Sequence, residues 1–129
     1  MKFHHIGIAC SDITKTVKFL NSTFNIINMT GIYFDKNQNV DLCLLTDDFG
    51  LNIELVSGKT VEKFVKNKQY LYHNCWEVAS LEKAIKHFCD NGAVMISEPK
   101  PAILFDNRNV SFLYTKIGII ELLEEKCSG

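Results

Sequence analysis

The sequence predicts an α+β fold made of two β-α-β-β-β modules, and three observations predict it. Residues 5–20 and 73–88 share one pattern at an offset of 68 residues: a strand, a short polar link and an amphipathic helix. Strand-like apolar runs separated by turn residues follow each helix. The length of 129 residues accommodates both copies without remainder, so we expect a single domain over residues 1–129.

The repeat also predicts where each module begins and ends. We expect the first module over residues 1–58, a linker helix over 59–71 and the second module over 72–126. The linker carries Val61, Phe64 and Val65 at helical spacing. The strands predicted after the first module helix are 26–34, 40–46 and 51–56, and those after the second are 94–97, 110–114 and 117–123.

Each module helix has a polar start and an apolar face. Ser11 or Asp12 can cap the first helix and Ser80 the second, because a short side-chain oxygen accepts from the unpaired N–H groups of a first helical turn. Gly92 can end the second helix in a left-handed conformation. The apolar faces are Ile13, Val17, Leu20 and Phe24 in the first helix and Leu81, Ala84, Ile85, Phe88 and Cys89 in the second.

Composition excludes several function classes. Fourteen Lys and Arg against fifteen Asp and Glu give a net charge of −1, so the chain has no basic surplus for nucleic acid. No apolar run approaches the roughly 20 residues of a membrane span, and the opening residues lack a signal-peptide core. Five cysteines without a C-x-x-C pair predict buried apolar residues in a reducing interior, not a disulfide framework. We therefore expect a cytoplasmic protein with neither a membrane nor nucleic acid as partner.

Two histidines and two glutamates occupy equivalent strands of the repeat. His5 aligns with His73 at an offset of 68, and Glu54 aligns with Glu121 at an offset of 67. Neutral imidazole and carboxylate are ligands that divalent zinc, nickel, cobalt, manganese and iron accept. A glutamate within an apolar strand also needs compensation, because burial of an unpaired carboxylate is costly. These four residues therefore predict one shared metal site, and strand alternation places His4 on the opposite face from His5.

Several short motifs resemble one known family. They are the opening His5-Ile-Gly-Ile-Ala, the strands Ile53-Glu54-Leu55 and Ile120-Glu121-Leu122, and His73-x-x-Trp-Glu-Val in the second module. Together they resemble the vicinal oxygen chelate superfamily (glyoxalase, bleomycin resistance and dioxygenase proteins), and within it the methylmalonyl-CoA epimerase and glyoxalase I-like branch. The resemblance implies a glyoxalase-like fold, in which the two modules form a half-open barrel around one divalent metal ion. It places the metal ligands at His5, Glu54, His73 and Glu121.

The same resemblance implies a reaction class. It predicts a metal-dependent epimerase, isomerase or lyase that moves a proton α to a metal-bound carbonyl of an acyl-thioester or a thiol adduct. Glu121 and Glu54 would be the catalytic ligand and base pair, in an order that stays open. Glu77, on the same strand face as His73, and Arg108 are candidate substrate-binding residues; the alternative for each is an ion pair. The metal would be nickel, cobalt, zinc, manganese or iron.

Other functions of the same superfamily remain alternatives. A metal-free small-molecule-binding or resistance protein of the bleomycin-resistance type would use the same barrel, although all four ligand-type residues are present here. An Fe(II) extradiol dioxygenase would generally need four modules, and this chain has two. We expect a homodimer, because half-open barrels leave sheet edges to cover. The metal site could be completed within one chain or between two.

Overall fold

The computed structural model describes residues 1–126, which contain ten strands and three α-helices. This confirms the predicted α+β class with two related modules. No described helix has both the length and the apolar character needed to cross a membrane. In chain order the elements are β1 (Lys2–Ala9), α1 (Ile13–Thr23), β2 (Ile26–Met29), β3 (Tyr33–Asp35), β4 (Val40–Asp47), β5 (Asn52–Ser57), α2 (Glu62–Lys66), β6 (Leu71–Val78), α3 (Leu81–Asp90), β7 (Val94–Met95), β8 (Lys100–Ala102), β9 (Arg108–Thr115) and β10 (Gly118–Glu124), with 3₁₀ turns at Lys59–Val61 and Ile103–Phe105.

The chain divides into two compact units. The N-terminal unit is His5–Tyr72, and the C-terminal unit combines Met1–His4 with the chain from His73 onwards. Between the two module patterns lie the 3₁₀ turn and α2, a shorter helix than the predicted linker.

The N-terminal unit contains a mixed sheet with one helix on one face. β1 runs parallel to β5, β5 is antiparallel to β4, and β2 and β3 both pair with β4. Asp12 caps α1, accepting a hydrogen bond from the backbone N–H of Lys15 at 3.0 Å. The buried core between helix and sheet consists of Cys10, Ile13, Leu20, Cys43, Leu45, Ile53 and Leu55.

The C-terminal unit repeats this construction. β6 runs parallel to β10, β10 is antiparallel to β9, and β7 and β8 both pair with β9. Ser80 caps α3 by accepting from the N–H of Lys83 at 3.2 Å, and Gly92 follows the helix with φ +95°. Helix and sheet bury Val78, Leu81, Leu113, Ile120 and Leu122.

Each unit interrupts one predicted strand at an equivalent position. Residues 26–34 form β2 and β3 instead of one strand, because the Thr30 hydroxyl accepts from the N–H of Leu44 at 2.9 Å in place of a backbone carbonyl. Ser97 does the same in the other unit, accepting from the N–H of Phe112 at 3.2 Å. The predicted strand 94–97 accordingly shortens to β7, and β8, which contains Pro101 and was not predicted, follows it.

Two residues at the ends of the predicted apolar faces are exposed. The helix α1 ends at Thr23, and Phe24 has extended backbone angles that take its side chain off the helical face. Cys89 lies at the edge of the α3 face, and its side chain is exposed, so the expectation that the cysteines are all buried is wrong for Cys89. The prediction for Cys127 lies outside the described residues.

Burial predicts different reactivities for the cysteines. Burial raises the pKa of the Cys10 and Cys43 thiols, so at a given pH both contain less of the reactive thiolate. We expect iodoacetamide at pH 8 to label Cys89 well before Cys10 or Cys43, as measured by peptide mass spectrometry. Labelling in denaturant is the control, where these thiols should react alike. Equal rates in the folded protein would contradict the described burial.

At Gly58 the backbone conformation and the close neighbouring backbone leave no room for a larger residue. Its φ is +139°, and an added Cβ would lie 3.0 Å from the carbonyl oxygen of Asn39 and 3.2 Å from the Cα of Val40. Gly58→Ala should therefore lower the free energy of unfolding by about 1–3 kcal/mol in urea titrations. Gly31→Ala is the matched control, since its Cβ would meet only the Tyr33 ring at 3.7 Å. Equal losses in both variants would contradict this account.

Candidate metal centre

The N-terminal unit brings His5 and Glu54 together on adjacent parallel strands. Glu54 on β5 is in register with Gly7 on β1, and His5 precedes Gly7 by two residues, so both side chains share a sheet face. Helix α1 covers the opposite face. The Nε2 atom of His5 lies 3.7 Å from Oε1 of Glu54, and the two residues are 0% and 4% exposed. A carboxylate and an imidazole are thus held side by side in the interior.

The C-terminal unit builds a second pair in the same way. Glu121 on β10 is in register with Cys75 on β6, and His73 precedes Cys75 by two residues. Nε2 of His73 lies 3.3 Å from Oε1 of Glu121, and both residues are buried. The ring of Phe112, the β9 partner of Glu121, meets the His73 ring edge-on at 5.4 Å. The His73 imidazole is therefore packed against an aromatic ring.

The donor set of each pair fits a divalent metal ion. Both separations exceed the roughly 2.7–2.9 Å of a charge-assisted hydrogen bond. Two tetrahedral ligand atoms that each lie about 2.1 Å from one zinc ion are about 3.4 Å apart. The observed 3.3 Å and 3.7 Å bracket that value. Each unit therefore offers one imidazole nitrogen and one carboxylate oxygen at a spacing that two ligands of one ion can have.

Glu54 and Glu121 are carboxylates buried within apolar strands. Burial of a carboxylate among apolar strand residues is unfavourable without a compensating positive charge or donors. Glu54 and Glu121 are both central in their strands, between Ile53 and Leu55 and between Ile120 and Leu122, and these four flanking residues are themselves buried. A buried carboxylate at these positions needs a positive charge or hydrogen-bond donors beside it, and a bound metal ion would supply such a charge.

Glu77 and Arg108, the two candidate substrate-binding residues, lie next to each other in the C-terminal unit. Nη1 of Arg108 is 3.5 Å from Oε2 of Glu77, with the two side chains 12% and 20% exposed. Nε2 of His4 is 3.7 Å from Oε1 of Glu77, and the His4 ring meets Phe105 edge-on at 4.8 Å. Strand alternation predicted only that His4 faces away from His5, and nothing in the sequence pattern indicated its contact with Glu77.

Comparisons with known proteins agree with this architecture. Residues 4–112 match the Glyoxalase/Bleomycin resistance protein/Dioxygenase superfamily. No curated protein sequence matches the chain. A hypothetical protein from Bacillus halodurans, BH1468, is 26% identical, with a TM-score of 0.80, over 99% of this chain and 96% of that one.

Two similar structures have named activities. Methylmalonyl-CoA epimerase from Mycobacterium tuberculosis is 18% identical, with a TM-score of 0.82, over 98% of this chain and 89% of that one. A glyoxalase I mutant from Zea mays is 18% identical, with a TM-score of 0.69, over 97% of this chain and 44% of that one. At these identities the likeness shows the glyoxalase-like fold alone. With the match over residues 4–112, the chain belongs to the Glyoxalase/Bleomycin resistance protein/Dioxygenase superfamily.

Proposed function

We propose that one divalent metal ion takes ligands from both His–Glu pairs, namely His5, Glu54, His73 and Glu121. The supporting observation is that two units of one chain build the same buried pair from the same strand arrangement. One pair supplies two ligands, and zinc, nickel, cobalt, manganese and iron sites in proteins take four or more, including water or substrate. The two pairs would come from one chain or from two chains of a dimer.

The proposed activity is proton transfer next to a carbonyl, as an epimerase, isomerase or lyase acting on an acyl-thioester or a thiol adduct. When bound, the metal ion would act as a Lewis acid toward the substrate oxygens. Glu54 and Glu121 would accept and return the α-proton at a carboxylate oxygen. Their buried strands exclude water and fix the carboxylates in place. Two of the similar structures carry names of this reaction class, an epimerase and a glyoxalase I.

Deuterium exchange tests the proposed reaction across a panel of substrates of the two expected classes. Acyl-CoA thioesters and thiol hemithioacetals are incubated in D₂O with the protein and with nickel, cobalt, zinc, manganese or iron. We expect metal-dependent deuterium incorporation α to the carbonyl of at least one substrate, read by mass spectrometry. Tight binding of such compounds without metal and without exchange would contradict the proposal and favour the metal-free binding function.

We also propose that the protein is a homodimer, from the apolar outer strands of its N-terminal unit. Ile27 and Met29 of β2 and Phe34 of β3 are 64%, 52% and 56% exposed. Apolar side chains on an outer strand favour pairing with another chain. Sedimentation velocity should give a species of twice 14.7 kDa. A monomer at every concentration would contradict the dimer and would require the metal site to be completed within one chain.

A further inference from the structure

Arg108 is held in place by the backbone. Its Nε donates to the carbonyl oxygen of Phe105 at 3.1 Å, and its Nη1 donates to that of Glu124 at 3.3 Å. Among residues 1–126, no hydrogen bond involves its Nη2. The side chain is only 12% exposed. A guanidinium fixed on two sides, with donors to spare, is well suited to bind a carboxylate or phosphate.

Glu77 neutralises this charge without a close hydrogen bond. Its Oε2 is 3.5 Å from Nη1 of Arg108, beyond the roughly 2.7–2.9 Å of a charge-assisted hydrogen bond. Both side chains of this ion pair are mostly buried, so the guanidinium needs a negative charge beside it at all times. An incoming anion can replace the Glu77 carboxylate at Arg108, because it supplies that negative charge and can approach to hydrogen-bond distance.

The ion pair lies on the same sheet face as the His73–Glu121 pair. Glu77 is two residues beyond Cys75, the strand partner of Glu121, so it lies one row along β6, or about 7 Å. Arg108 is on β9 on the same face as Phe112, by strand alternation, and Phe112 pairs with Glu121. A ligand group at Arg108 would thus be within the length of a small metabolite from Glu121.

The fold itself does not require charges at these positions. The repeat offset of 68 residues relates Glu77 to Ala9 and Arg108 to Val40. Ala9 and Val40 are 0% and 1% exposed in the N-terminal unit. The two units thus share the His–Glu pair. They differ at the neighbouring positions, which are charged in the C-terminal unit and apolar in the N-terminal unit. A row that differs between otherwise matched units is expected where the two ends of an asymmetric substrate bind.

We propose that Arg108 binds an anionic group of the substrate, a carboxylate or a phosphate, in exchange for Glu77. The inference rests on the proposed function for the identity of the site, and it names the substrate class as an anion. Arg108 is then a specificity-determining residue, and Glu77 keeps it neutralised when no anion is bound.

The sequence allows a direct test, because Arg108 is the only arginine in the chain. In a ¹H–¹⁵N spectrum of the protein, the arginine Nε–H region therefore reports on this residue alone. Succinate and inorganic phosphate are titrated separately, with sodium chloride at matched ionic strength as control. We expect a saturable shift with a dissociation constant on the order of millimolar for succinate, phosphate or both. A response to only one assigns the anion as a carboxylate or a phosphate.

Two variants separate ligand binding from a structural role. Glu77→Gln removes the competing carboxylate and should tighten anion binding about fivefold. Lys126→Ala is the matched control, since it removes a charge paired with Asp106 at the exposed surface and should change binding less than about twofold. A shift no larger than with chloride, or weaker binding in Glu77→Gln, would overturn the inference.

Removing metal ions allows the anion site to be tested independently of the proposed metal-dependent function. The titration is run on the protein as purified and after EDTA treatment. A saturable shift after EDTA treatment supports the anion site even if no metal is ever bound. Tight metal binding with no shift at Arg108 in either preparation overturns the anion site and leaves the proposed function standing.

Discussion

His73→Ala should abolish tight metal binding, although it leaves His5 and Glu54 in place. If both pairs hold one ion, loss of one imidazole removes one of four ligands and should weaken affinity at least about 100-fold. His5→Ala should cause a similar loss, because the two histidines have equivalent positions in their units. The measurement is isothermal titration with zinc or nickel, with metal content confirmed by elemental analysis.

The neighbouring histidine provides a matched control for this experiment. His4→Ala removes an imidazole next to His5 that contacts Glu77 and Phe105, and metal affinity should stay within about threefold of wild type. The competing arrangement is one ion for each pair. In that case His73→Ala would lower the stoichiometry from two to one and leave the affinity of the remaining site unchanged, which would contradict the proposal.

Glu121→Gln should reduce turnover by about 10²- to 10⁴-fold, because an amide cannot accept the α-proton. The substitution preserves size and one oxygen, so the fold should be retained. Glu54→Gln should have a comparable effect if the two carboxylates act in turn. Deuterium exchange from each enantiomer of a chiral substrate tells which carboxylate removes the proton from which face.

A charge-matched variant controls for the loss of a carboxylate. Glu125→Gln removes a carboxylate from an exposed position just after β10 and should leave the exchange rate unchanged. Glu121→Gln with its metal content intact and its turnover undiminished would rule out a proton-transfer role for Glu121. If the variant loses both its metal and its turnover, the main role of Glu121 is to bind the metal ion.

The internal repeat made most of the fold predictable from the sequence. Apolar periodicity and the caps at Asp12 and Ser80 located the two module helices, which depend on local sequence. The breaks at Thr30 and Ser97 could not be predicted, because a hydroxyl replaces a backbone acceptor only once a partner strand is beside it. β8 was missed for a similar reason: Pro101 has no backbone N–H, so it fits a strand only at a position where no donor to the partner strand is needed, and that depends on the pairing with β9.

The candidate site was predictable where the repeat supplied a second copy. His5 with Glu54 and His73 with Glu121 are paired in the structure, and their union in one metal site stays a prediction. The pair of Arg108 and Glu77 could not be derived, because neither has a charged counterpart in the other module. Each was proposed separately, and only the register of β6, β9 and β10 brings them together.

Metal stoichiometry of the purified protein tests the central claim most directly. After chelation and reconstitution with nickel, cobalt, zinc, manganese or iron in turn, elemental analysis should find one tightly held ion per chain for at least one metal. Double replacement of His5 and His73 by Ala should reduce this to none. No retained ion with any of the five metals, or two ions per chain, would contradict a single site that takes ligands from both His–Glu pairs.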